Sequence, residues 1–172
     1  MSIRGLHHCA YRCRDAEQTR AFYEDFLGLP LVHAVRIRET RTGRMTDTLH
    51  LFFQLGDGSC VAFFDAPDMA FDFKPQHDYD LHLALEVDRP VLEAMLAKGQ
   101  AAGVEVRGIV DHGLFDSLYF RDPNGYVIEL ACKHDGHDAA LARAQAPARA
   151  LLSAWQARGS GGAWPPTDPV QG

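Results

Sequence analysis

V-D-H-G-L-F-D-S-L-Y-F-R-D-P-N-G-Y-V-I-E, residues 110 to 129, carries the pattern on which the fold of this chain turns. An Asp-Pro-Asn-Gly turn at 122–125 stands between two runs, Ser117 to Arg121 and Tyr126 to Cys132. Glycine takes the positive-φ position of such a turn, so the flanking runs read as two strands. Alternation along the second strand sets Val127, Glu129 and Ala131 on one face and Ile128, Leu130 and Cys132 on the other. A carboxylate in an otherwise apolar strand is costly to bury unless something pairs with it, which singles out Glu129.

Outward from that stretch the chain is a repeat. Residues 5–13 read as a strand, Asp15 as the cap of a helix over Ala16 to Leu27, and Gly28 as its stop. Strand-like runs follow at Leu31–Ile37, Thr48–Leu55 and Cys60–Phe64, the last two joined by a Gly56-Asp57-Gly58 hairpin signal. The same order then recurs. Leu81–Val87 is a strand, Asp88 a cap, Pro90 an early helical residue, and Leu92–Ala102 a helix ended by Gly103. Strands at Val104–Val110, Ser117–Arg121 and Tyr126–Cys132 complete it. The pattern is βαβββ twice, which predicts an α+β fold whose two modules build one curved mixed sheet. The expected boundaries are a first module at 1–66, a linker at 67–79 and a second module at 80–133. An Ala-rich helical tail at 134–158, broken at Pro147, and a Gly- and Pro-rich disordered tail at 159–172 follow.

Composition narrows the function classes. A net charge of -6 over 172 residues and the lack of a basic stripe argue against a nucleic-acid surface. No segment reaches the roughly 20 apolar residues of a membrane helix. Met-Ser-Ile-Arg-Gly at the start lacks the apolar run of a signal peptide, so a cytoplasmic location is expected. Cys9, Cys13, Cys60 and Cys132 are widely spread and read as buried thiols rather than a disulfide frame.

The repeat also places ligand-type side chains. His82, Ala84 and Glu86 share one strand face, while Leu81, Leu83, Leu85 and Val87 share the face that packs under the helices. His8 holds the matching place in the first module, seven residues before Asp15, as His82 lies six before Asp88. Alternation sends His7 to the opposite face. His8, His82 and Glu129 can therefore converge on one metal ion. Two imidazoles and a carboxylate leave about three positions open on a six-coordinate ion, which suits Fe(II) or Mn(II).

H-H-C-A-Y-R-C-R-D (7–15), F-Y-E-D-F-L-G-L (22–29), D-L-H-L-A-L-E-V-D (80–88) and D-P-N-G-Y-V-I-E-L (122–130) together resemble the vicinal oxygen chelate superfamily. That superfamily includes glyoxalases, thiol transferases that inactivate fosfomycin, bleomycin-binding proteins and extradiol dioxygenases. The resemblance covers about residues 5–132 and implies a curved sheet that encloses a metal site. Within the superfamily, residues 110–129 are similar to the signature of extradiol ring-cleaving dioxygenases. The resemblance implies that Glu129 is an iron ligand and that His112 and Tyr119 contact the hydroxyl groups of the substrate. The implied cofactor is one divalent ion, Fe(II) first, with Mn(II), Zn(II) or Ni(II) as alternatives. The implied substrates are a catechol-like aromatic diol and dioxygen, and the implied assembly is a homodimer.

The chain departs from its relatives at two places. Ring-cleaving enzymes carry a further acid-base histidine after the hairpin of the first module, where this chain has Gly58, Ser59 or Cys60; His50 lies on the preceding strand. Glyoxalases place a fourth ligand, usually glutamate, where this chain has Ala62. Two alternatives to the dioxygenase stay open: a non-redox metalloenzyme of the same fold, and a metal-free protein that sequesters a small molecule. Phe22 and Tyr23 read as core, His134 and His137 as tail residues, and Met69 to Phe73 as a lining or lid of the pocket.

Overall fold

The computed structural model describes residues 3–72, 77, 79 and 81–158. The expected disordered tail at 159–172 and Phe73 lie outside them. In the first module, β1 (His8–Cys13) leads into Asp15, whose carboxylate accepts a hydrogen bond from the Gln18 N–H at 2.7 Å and opens α1 (Ala16–Arg20). A single helix is expected through Leu27, yet the chain widens into a π-helical segment over Ala21–Phe26. The Leu27 N–H reaches back to the Phe22 carbonyl at 2.9 Å, and both Phe22 and Tyr23 turn inward. β2 (Leu31–Glu39), β3 (Met45–Gln54) and β4 (Cys60–Asp65) follow.

The second module repeats the plan with β5 (His82–Glu86), α2 (Arg89–Ala102), β6 (Val106–Asp111), β7 (Phe115–Arg121) and β8 (Val127–Lys133). Asp88 occupies the cap position of α2, but its side chain makes no capping bond; its carbonyl accepts from the Val91 and Leu92 N–H groups instead. Gly103 closes the helix at φ 66°, a left-handed conformation that glycine adopts without strain. α3 (His137–Arg158) runs unbroken through Pro147, contrary to the expected interruption. The proline removes one backbone donor, and the exposed helix continues past that loss.

The expected sheet occurs as two four-stranded sheets, ordered β1-β4-β3-β2 and β5-β8-β7-β6. In each, the first strand runs parallel to the fourth and the remaining pairs are antiparallel. The apolar faces of both sheets and both helices contribute to one core. Tyr23, Phe53, Phe63 and Leu51 from the first module join Leu92, Leu118, Phe120 and Ile128 from the second. Phe26 meets Phe120 edge to face at 5.2 Å between ring centres. Gly99 packs so close to Phe120 that a Cβ there would lie 2.6 Å from its ring.

Turn geometry alone accounts for Asp122-Pro123-Asn124-Gly125 in the sequence, but the fold uses the turn as a lock between modules. Asp122 and Asn124 are buried. The Asp122 carboxylate accepts from the Asn124 and Tyr126 N–H groups at 2.9 and 2.8 Å and from the Tyr23 hydroxyl at 3.1 Å. The Asn124 side-chain oxygen accepts from the Arg14 N–H at 2.8 Å, and the Tyr126 hydroxyl donates to the Arg12 carbonyl at 2.8 Å. Burial pushes the Asp122 pKa up, and these donors hold it down in part. With the modules joined through their apolar sides, each sheet turns its other face outward.

Candidate metal and ligand site

Register aligns those outward faces residue by residue. His8 opposes Cys60 and Ala10 opposes Ala62 in the first module; His82 opposes Val127 and Ala84 opposes Glu129 in the second. His8 and His82 are thus equivalent, and Ala62 stands where Glu129 stands. One strand further, Phe52 opposite Ala62 corresponds to Tyr119 opposite Glu129. By the same register His50, opposite Phe64, corresponds to Ser117, opposite Ala131.

Glu129 is 5% exposed, which is deep for a carboxylate. Its Oε1 accepts from the Ser117 hydroxyl, and its Oε2 lies 3.4 Å from His82 Nε2. A cavity of about 300 Å³ opens in front of the pair, lined also by Phe115, Ala131, Lys133 and His137. The buried carboxylate, an imidazole beside it and an open wall fit two of three protein ligands for a divalent ion, with the remaining positions left to water or substrate.

His8 is placed elsewhere. It lies on the first sheet, with Nδ1 2.7 Å from His7 Nδ1 and its ring beside Phe52. Among the described residues the ligand atoms of His8, His82 and Glu129 do not form one group, whereas those of Asp111, Asp116 and His134 all lie within 4.8 Å of one another. That second group is an ion-pair hub. Asp116 already binds the Arg89 guanidinium and His134 Nε2, the latter at 3.1 Å, and Arg89 holds its carboxyl below the usual range. Asp111 accepts from the Gly113 N–H at 2.6 Å.

His112 and Tyr119 are brought together, with His112 Nε2 2.9 Å from the Tyr119 hydroxyl. Burial raises the Tyr119 pKa above 10, Ser117 pulls against that shift, and Glu129 adds to it. The phenol therefore keeps its proton at neutral pH. The Arg107 guanidinium sits 4.7 Å above the Tyr119 ring.

Two expectations outside the ligand set change. His137, read as a tail residue, lines the cavity with His82 and Glu129, packing edge to face on Phe115 at 6.3 Å between ring centres. Only the strand-to-helix turn after β8 brings it there, and no spacing in the sequence announces it. The segment from Met69 instead approaches the first sheet, where Arg12 donates to the Met69 carbonyl at 2.8 Å and lies over Phe71. His50 faces outward on that sheet, stacked on Phe64 at 3.7 Å, and its Nε2 is buried without a hydrogen-bond partner among the described residues. Burial, then the nearby His8 and His33, lower its pKa.

A larger apolar cleft of about 660 Å³ runs along the free edge of β5, between Leu27, Leu29 and Leu55 of the first module and Leu85, Val91 and Met95 of the second. All four cysteines are free, Cys13 and Cys132 buried and Cys9 and Cys60 partly so. Among the described residues no helix is long and apolar enough to cross a membrane.

Paired βαβββ modules, each a four-stranded mixed sheet with its helix, are the plan of one large fold family. Residues 5–130 match the Glyoxalase/Bleomycin resistance protein/Dioxygenase superfamily, and the chain belongs to it. A glyoxylase/bleomycin resistance protein/dioxygenase domain from Frankia sp. EAN1pec is 19% identical, with a TM-score of 0.63 over 77% of this chain and 100% of that one. The antibiotic binding protein TnmS3 from Streptomyces sp. CB03234 is 24% identical, with a TM-score of 0.57 over 78% of this chain and 99% of its own. A mutant of the fosfomycin resistance protein FosX from Listeria monocytogenes, complexed with Mn(II) and 1S,2S-dihydroxypropylphosphonic acid, is 19% identical. Its TM-score is 0.55 over 75% of this chain and 92% of that one. No curated protein matches the chain significantly in sequence.

Proposed function

We propose that this protein is a metal-dependent enzyme of the vicinal oxygen chelate type, an extradiol dioxygenase acting on a catechol-like aromatic diol. The observation that carries the reading is the joint placement of Glu129, Tyr119 and His112. Tyr119 stands directly across from Glu129 in the sheet, and its hydroxyl is hydrogen-bonded to His112 at 2.9 Å. The pair does not line the cavity of His82 and Glu129, but a diol held there and extending along the sheet would meet this phenol and imidazole, which can trade their internal hydrogen bond for one to the substrate. Arg107 over the Tyr119 ring adds positive charge where a catecholate would carry negative charge. A bound divalent ion, Fe(II) for ring cleavage, would supply Lewis acidity to the diol and redox capacity toward dioxygen.

His82 and Glu129 are two of the ligands in this reading, and His8 of a second copy is the third. The support is geometric: His8 is the register equivalent of His82, it faces outward, and it sits on the other sheet. A homodimer that sets the first sheet of one copy against the second sheet of another completes two sites by symmetry. Mixing the His8→Ala and Glu129→Ala proteins tests this. Each is expected to lose Mn(II) binding, while reassembled mixtures should recover about a quarter of the wild-type sites, because each heterodimer holds one intact set. No recovery would refute the shared site.

Ring cleavage is tested by loading the protein with Fe(II) without oxygen and following dioxygen uptake with a panel of catechols. Uptake with a yellow ring-opened product is the expected result. An iron-loaded, folded protein that consumes no dioxygen would overturn it. The non-redox reading would then lead, favoured by the absence of a histidine at 58–60 and by a relative that holds Mn(II) with a dihydroxy ligand.

A further inference from the structure

We infer that the C-terminal helix is part of the site: His137 at its first turn contacts the bound diol, and Asp138 orients it. This rests on the diol-binding reading above and adds residues that lie beyond the family match, which ends at residue 130. His137 and Glu129 share the walls of one cavity, although the two belong to different elements. The His137 side chain is 14% exposed, so its place on that wall is fixed by packing. Phe115 supports the ring from the side.

The imidazole is also prepared electronically. His137 Nδ1 lies 2.8 Å from Asp138 Oδ1, and an ionised carboxylate can only accept. Nδ1 therefore carries the hydrogen, and Nε2 is the nitrogen offered to a ligand. Asp138 is held in turn by Lys133, 3.8 Å away, and Lys133 lines the same cavity. His137 and Lys133, which also lies 2.8 Å from Glu86, keep the Asp138 carboxyl below its usual range. A diol whose inner oxygens face His82 and Glu129 can donate its remaining hydroxyl hydrogen to Nε2. The first module has no histidine at the family's acid-base position, so an imidazole arriving from the tail gives the cavity a hydrogen-bonding partner of the same chemistry.

The test uses the full-length protein loaded with Mn(II) and titrated with para-nitrocatechol, whose visible spectrum reports binding. His137→Ala is expected to weaken nitrocatechol binding about tenfold with Mn(II) binding unchanged, the upper size of one ordinary hydrogen bond. Asp138→Ala should weaken it about threefold and Asp138→Glu should restore it, a rescue that a merely structural role would not give. His134→Ala, on the ion-pair hub, should leave both affinities unchanged. Equal nitrocatechol affinity in wild type and His137→Ala would overturn the inference while the diol reading stands. A parallel loss of Mn(II) and nitrocatechol in His137→Ala would assign it a structural role and overturn the inference as well. A wild-type protein that binds neither probe would sink the underlying reading, and the inference with it.

Discussion

The two modules share one backbone plan and differ in what they hold outward. On the second sheet a carboxylate, Glu129, is flanked by Ser117, Tyr119 and His82. On the first sheet the equivalent places carry Ala62, His50, Phe52 and His8. One surface supplies negative charge and hydroxyl donors; the other supplies imidazoles among aromatic rings. Neither is a complete three-ligand site alone. A duplicated module can divide labour because the strand register fixes where side chains converge without fixing which side chains they are.

The difference can be broken at its centre. Glu129→Ala is expected to weaken Mn(II) binding more than about 100-fold by calorimetry, since even indirect partners of metal ligands are worth 10–100-fold. An unchanged affinity would mean that the carboxylate is structural. The next effect in size falls on the joint. Asp122→Ala leaves the Tyr23 hydroxyl buried without its acceptor and should lower unfolding stability by about 2 kcal/mol in denaturant titration. A much smaller loss would show that apolar packing alone holds the modules together.

Tyr119→Phe removes the hydroxyl opposite Glu129 and should leave Mn(II) binding intact while weakening para-nitrocatechol binding about fivefold, near 1 kcal/mol. Equal affinity would remove Tyr119 from the diol site. The smallest effect concerns His50. Its folded pKa lies below the ordinary 6.5, so as pH falls the unfolded chain takes up the proton first. The stability that neutral His50 contributes is complete above pH 6.5 and declines as pH falls from 6.5 toward the lower folded value. Thermal melts of wild type and His50→Gln should therefore converge below pH 6.5 and separate above it. Parallel curves across that window would show that His50 is freely hydrated.

Much of the architecture is legible from hydrophobic period and turn residues. Period-2 runs, Asp15, Gly28, Pro90 and Gly103 place both βαβββ units, with the edges of individual strands shifted by up to three residues. The π-helical turn at 21–26 is not legible, because it answers to where Phe22 and Tyr23 must pack. The unbroken α3 is missed because proline's lost donor costs least on an exposed helix.

By itself the sequence determined the residue chemistry: two equivalent histidines, one lone carboxylate, and a tyrosine and histidine in order around a turn. Those follow from alternation and repetition, which are properties of local backbone geometry. Tertiary structure alone decided which of them meet. It brought His82 to Glu129 and His112 to Tyr119, left His8 on the opposite sheet, and carried His137 into the cavity wall. It also turned Asp122 and Asn124 from turn formers into the lock between modules. The physical reason is that which strands become neighbours in a sheet, and where the tail helix packs, depend on the summed burial of the core rather than on any short motif.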